Sequence, residues 1–177
     1  MRRPLDTDRL RAFMRALGEA VRRPTNVYFT GGATAILLGF RASTVDIDLC
    51  MVPEQDEVFR AIPELKEKLE LNVELASPRD FIPELPGWRE RSLFIATEGK
   101  ISFYHFDLYS QALSKLQRGH AKDLDDVERM HDRGRIETGR LVELFESIEA
   151  ELYRFPAIDP GAFRRRVEGF ARSHHTD

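Results

Sequence analysis

Val27-Tyr28-Phe29-Thr30-Gly31-Gly32-Ala33-Thr34-Ala35-Ile36-Leu37-Leu38-Gly39-Phe40-Arg41-Ala42-Ser43-Thr44-Val45-Asp46-Ile47-Asp48-Leu49-Cys50-Met51 reads as a short apolar strand, a double-glycine turn, a two-turn helix closed by Gly39, and a second strand carrying two aspartates. Side chains along a strand alternate with period two. Val45, Ile47 and Leu49 are expected on one face, and Thr44, Asp46, Asp48 and Cys50 on the other. Both carboxylates then look the same way.

Aspartate is depleted from strands, so a pair on one face does not serve sheet stability. With the charges about 5 Å apart and an effective dielectric near 20, their repulsion is on the order of 3 kcal/mol, against a domain stability of only about 5–15 kcal/mol. Either water screens the pair on a solvated outer face, or a divalent cation sits between them. Mg²⁺ is the usual occupant of carboxylate sites that also hold phosphates. Gly31-Gly32 opens a helix directly after a strand, a junction where backbone amides can approach an anion closely. A glycine corner followed on the neighbouring strand by Asp46-x-Asp48 makes a complete site for a nucleoside triphosphate and its Mg²⁺ (or Mn²⁺). Two commoner phosphate loops are excluded: Gly39 is followed by Phe40 and not lysine, and no G-x-G-x-x-G occurs.

Outward from this stretch the chain is ordinary for a globular protein. Its 177 residues are 42% hydrophobic and 32% charged, enough for one domain with a core of useful size. A net charge of −3 argues against a general nucleic-acid binder and confines any RNA contact to a local basic patch. The single cysteine, Cys50, allows no internal disulfide and points to a reducing compartment. Neither a signal peptide nor an eighteen-residue apolar run is present, so a cytoplasmic protein without membrane contact is expected.

From Thr7 to Arg22, Leu10, Phe13, Met14, Leu17 and Val21 recur at helical spacing, with Asp6, Thr7 or Asp8 as cap. Val58, Phe59, Ile62, Leu65 and Leu69 predict a second helix that Pro63 kinks or breaks. Leu71-Asn72-Val73-Glu74-Leu75 alternates again, with Asn72 and Glu74 facing away from the apolar residues. Ser77 to Trp88 reads as a loop with a helical turn, in which Trp88 and Phe81 are core residues or base-stacking platforms, core being favoured. Ser92–Thr97 and Ile101–Leu108 flank Glu98-Gly99-Lys100 as a hairpin, its second arm an interior strand. His105 lacks ligand-spaced neighbours and is read as structural. Asp107 is a further acidic candidate.

Ala112 to Lys122 carries Lys115, Arg118 and Lys122 with no acid, then the chain turns acidic at Asp123, Asp125 and Asp126. Such an island can neutralise a triphosphate, lysine acting as a point charge on phosphate. The alternative is a solvated helix end with Asp123 capping the next helix. Beyond His131 the chain is helical: Leu141, Val142, Leu144, Phe145, Ile148 and Leu152 form one apolar stripe, Phe163, Val167 and Phe170 another. Arg164-Arg165-Arg166 and Arg172 give the last helix a basic side, a solvated face or the best place for an RNA backbone. His174-His175 is expected to be disordered.

Gly31-Gly32 with Asp46-Ile47-Asp48 resembles the signature of the DNA polymerase beta-type nucleotidyltransferase superfamily. The wording from Gly31 through Gly39-Phe40-Arg41-Ala42-Ser43-Thr44 to Leu49, with the later Lys115-Leu116, Arg118, Lys122-Asp123 and Asp126, is similar to its AbiEii-type toxin branch, at a shorter late interval. The resemblance implies an α/β fold with a small mixed sheet flanked by helices, a core over residues 1–110 and a helical part over 111–177. It implies Asp46 and Asp48 as catalytic metal ligands, with Glu74 or Asp107 as third carboxylate; the bland reading of Glu74 is the solvent face of an edge strand. Gly31, Gly32, Arg41 and Ser43 or Thr44 would contact the nucleotide. Lys115 would hold the triphosphate, oriented by Asp123 or Asp126, which otherwise bind substrate. The implied reaction transfers a nucleoside monophosphate from NTP to a hydroxyl, on a tRNA 3′ end, a protein or a small molecule such as an aminoglycoside. An antitoxin partner would follow if the chain is a toxin. The competing class is an inactive nucleotidyltransferase-like module that binds nucleotide or protein.

Overall fold

The structure, a computed structural model, describes residues 3–175. It divides into two compact units, residues 1–77 with 92–106, and residues 78–91 with 107–177. The second unit thus takes in the 78–91 excursion as well as the C-terminal helices.

In the first unit, helix α1 (Thr7–Ala20) starts at Asp6, whose carboxylate accepts from the Arg9 amide at 2.9 Å. Strand β1 (Thr25–Thr30) leads into α2 (Gly31–Leu37), then β2 (Asp46–Val52), α3 (Asp56–Lys68), β3 (Asn72–Leu75) and the hairpin β4 (Leu93–Glu98) and β5 (Ile101–His105). The five strands form one mixed sheet in the order β3-β2-β1-β5-β4. β1 runs antiparallel to β2 and parallel to β5, β2 parallel to β3, and β4 antiparallel to β5. β5 is therefore interior, as its bulky two-faced sequence predicts, and β3 and β4 are the edges.

One sheet face carries Val27, Phe29, Ile47, Leu49, Met51, Val73, Ile101 and Phe103, buried with Leu10, Phe13, Met14 and Leu17 of α1 and Val58, Ile62 and Leu65 of α3. The arginine at position 9 fixes where β3 begins, donating to the carbonyls of Leu69 (2.7 Å) and Glu70 (3.1 Å) at the turn after α3. Gly18 of α1 meets the hairpin so closely that a Cβ there would lie 2.6 Å from the Glu98 carbonyl oxygen. Three expectations need correction. α3 runs through Pro63 without a break, because the residues around it keep an unbroken buried stripe of Val58, Ala61, Ile62 and Leu65. β2 begins at Asp46 and not before, since Thr44 is taken by an isolated bridge to Leu5, leaving Val45 62% exposed. Leu75, expected with the apolar face of its strand, is 54% exposed at the end of edge strand β3.

The second unit is helical: α4 (Trp88–Arg91), α5 (Leu108–Arg118), α6 (Ala121–Asp132), α7 (Thr138–Glu149) and α8 (Pro160–Ser173). α5 packs on α6, α7 and α8. Phe145 and Phe163 meet edge-on, ring centroids 4.8 Å apart, as the two apolar stripes predict. Trp88 is buried and donates to Glu84 at 2.6 Å. Disorder at His174 is overturned: its Nδ1 bonds the Phe170 carbonyl at 2.8 Å and its Nε2 meets Glu128 at 2.5 Å, closing the end of α8 onto α6.

Candidate functional site

The alternation of β2 produces the expected geometry. Ile47, Leu49 and Met51 are buried, while Asp46, Asp48 and Cys50 are half-exposed on the opposite face. Register extends that face across the sheet: Asp46 pairs with Asn72, Asp48 with Glu74, and Thr30 with Asp48 on the other side. Glu74 is exposed on its edge strand, beside Asp48. The amide of Asn72 donates to Asp46 Oδ1, a partner that sequence reasoning passed over.

The glycine corner has a reason that the sequence hid. Gly31 holds φ at +57°, a conformation L side chains rarely adopt. A Cβ there would lie 2.9 Å from Asp48 Oδ2, and one on Gly32 would lie 2.1 Å from Thr44 Oγ1. The two glycines are thus required by side chains arriving from the β2 side, and they let the Asp48 carboxylate rest on the start of α2. A buried polar chain anchors that helix. Thr34 donates to the Phe29 carbonyl at 3.1 Å, and its hydroxyl lies 3.1 Å from His105 Nδ1. The structural reading of His105 fits this place in the core, where an unmade hydrogen bond is costly. Arg41 is half-buried and Ser43 exposed in the loop between α2 and β2, where Thr44 bridges to Leu5.

Among the described residues, no group of three or more His, Cys, Asp or Glu is gathered closely enough to hold a metal. Glu74 shares the face with the two aspartates without forming such a group. The donor set nevertheless suits Mg²⁺, which is commonly held by one or two carboxylates with substrate phosphates and water completing its octahedron. Two half-exposed carboxylates next to a glycine corner that admits no Cβ fit that requirement.

The remaining predicted residues lie in the second unit. Lys115 is buried, its ammonium 2.8 Å from Asp126 and 3.4 Å from Asp123. Arg118 also reaches Asp123, at 3.1 Å, and covers Phe81 at 4.8 Å. Asp123 does not cap α6. His120 takes that place, while Asp123 turns to the two cations. Asp107 caps α5 through the amides of Tyr109 and Ser110 and receives Arg91 in a two-point contact at 3.1 and 2.8 Å. Two arginines of the basic side of α8 are engaged internally: Arg164 with Glu149 and Glu168, and Arg166, which donates to the carbonyl of Gln117 at 2.8 Å.

A five-stranded mixed sheet with helices, carrying an aspartate pair beside a glycine corner, has the architecture of a nucleotidyltransferase-like fold. Residues 8–158 match the family described as nucleotidyltransferase of unknown function (DUF6036). The chain belongs to that family. No curated protein and no solved structure gives a significant match.

Proposed function

We propose that the protein transfers a nucleoside monophosphate from an NTP to a hydroxyl acceptor. The observation that carries this reading is the placement of Asp46 and Asp48 on one half-exposed face, with Asp48 Oδ2 resting where Gly31 lacks a side chain. Asp46 and Asp48 would hold a divalent cation, Mg²⁺ or Mn²⁺. That cation, when bound, neutralises phosphate charge and polarises the phosphoryl group under attack. Gly31 and Gly32 are assigned to phosphate oxygens through their backbone, the space at their missing side chains being taken by Asp48 and Thr44, and Arg41 with Ser43 or Thr44 is assigned to the nucleotide. Glu74, paired in register with Asp48, is assigned to the acceptor hydroxyl, whose proton it takes. The acceptor oxygen bonds the α-phosphorus, the bond from that phosphorus to the bridging oxygen breaks, and pyrophosphate leaves.

The acceptor class follows the motif likeness. The AbiEii-type wording of Gly31–Leu49 and Lys115–Asp126 favours a toxin acting on a tRNA 3′ end or a protein, with an antitoxin as partner; a small molecule is the remaining acceptor. The same likeness carries a phosphate role for Lys115, but its ammonium is buried against Asp126 and Asp123 in the second unit, and the proposed transfer does not draw on it. A second reading, a non-catalytic nucleotide- or protein-binding module, is favoured by the burial of Lys115 against Asp126 and Asp123, which engages its ammonium within the chain.

The test is transfer of label from α-labelled NTPs, with Mg²⁺, to total RNA and cell protein. Asp46→Ala and Asp48→Ala are expected to lower labelling by on the order of 10²–10³-fold, the scale of losing one preorganised charge-stabilising group. Undiminished labelling in either variant contradicts the mechanism, and NTP binding without any transfer selects the module.

A further inference from the structure

We propose that Asn72 is a positioning residue that fixes the Asp46 carboxylate for its cation; the inference rests on the site described under Proposed function. Asn72 and Asp46 are direct cross-strand partners in the parallel β2–β3 register, and the Asn72 amide nitrogen donates to Asp46 Oδ1. That bond engages Oδ1 and directs the carboxylate plane, which would hold Asp46 in a fixed orientation toward a cation. Asparagine, like aspartate, is depleted from strands. Its value at this place is chemical: it supplies a donor without adding charge to a face that already carries Asp46, Asp48 and Glu74.

The two aspartates are therefore anchored differently. Asp48 rests on the glycine corner, with Oδ2 against Gly31 and another acid, Glu74, as its cross-strand partner. Asp46 has no such seat and is held from the side by an amide. Groups that orient metal ligands in this way typically govern metal affinity by about 10–100-fold.

Mn²⁺ binding to the full chain, followed by electron paramagnetic resonance without nucleotide, tests this apart from catalysis. Asn72→Leu keeps the volume and removes the donor, and is expected to weaken Mn²⁺ about 10–100-fold with an unchanged urea-unfolding midpoint. Asn72→Gln keeps an amide donor and is expected to recover part of the loss. If Asp46→Ala abolishes binding while Asn72→Leu binds as wild type, the role of Asn72 is overturned and the site stands. If Asp46→Ala and Asp48→Ala bind Mn²⁺ like wild type, or wild type binds none, the site itself fails and the Asn72 role with it. A loss in Asn72→Leu matched by an equal loss of folding stability, with no recovery in Asn72→Gln, makes Asn72 a structural residue only.

Discussion

Gly31 is where sequence and structure give different reasons for one residue. A glycine pair after a strand reads as room for phosphate, yet the structure shows Asp48 and Thr44 occupying the space that side chains on Gly31 and Gly32 would need. Gly31→Ala must adopt φ near +57°, costing about 1–2 kcal/mol, and its Cβ pushes the Asp48 carboxylate away. Thermal unfolding should report that loss, and transfer activity should fall by more than the stability change explains. A fully active Gly31→Ala would remove the glycine corner from the mechanism. The aspartate pair was legible because period-two alternation is a local rule. The partners that make the glycines necessary were not, since Thr44 and Asp48 return to the corner from the far side of α2 and its following loop.

At the scale of elements, the late motif behaves as a packed joint. Lys115 and Asp126 are side-chain exposed by only 5% and 2%, joining α5 to α6. Removing one partner of a buried pair costs about 3–5 kcal/mol because the other charge is left alone. Lys115→Met should therefore destabilise strongly, and Lys115→Met with Asp126→Leu should restore much of the loss in denaturant melts. No recovery in the double variant would show the pair is not what holds that joint. Composition alone showed a cationic island and the family resemblance paired Lys115 with Asp123 or Asp126; neither showed that both acids engage it and that the cluster is buried, because the contact crosses the Gly119 turn between two helices.

The end of α8 gives a pH-dependent joint. Burial opposes charge on His174, but the Phe170 carbonyl, Glu128 and Asp132 outweigh it and raise its pKa above 6.5. A raised histidine pKa contributes stability that is fully present below 6.5 and lost as pH rises through the folded value. With Glu128 half exposed, about 1 kcal/mol or less is at stake. Amide protection factors at the end of α8, taken relative to the intrinsic exchange rate at each pH, should be higher at pH 6 than at pH 8.5, and Glu128→Gln should flatten the difference; equal protection at both values contradicts the joint. Composition marked His174-His175 as a tail, and only the packing against α6 revealed otherwise.

Over the whole molecule, the interior place of β5 was readable from its bulky two-faced sequence and the helical C-terminal region from its apolar stripes, while the small mixed sheet was implied by the family resemblance. The path of α3 through Pro63 was not readable, since burial of its apolar stripe decides it, nor was the late start of β2, which depends on the bridge from Leu5 to Thr44. Among the described residues no helix is long and apolar enough to cross a membrane. With net charge −3 and Arg164 and Arg166 engaged internally, the basic patch that general RNA attachment requires is reduced. The most direct measurement is calorimetric titration of wild type, Asp46→Asn and Asp48→Asn with non-hydrolysable NTP analogues, each with Mg²⁺ and with a chelator. Binding is expected only with metal, and to weaken at least about 10-fold in either variant while the circular dichroism spectrum is unchanged. Equal affinity under chelation, or in both variants, contradicts a metal–nucleotide site on this face of the sheet.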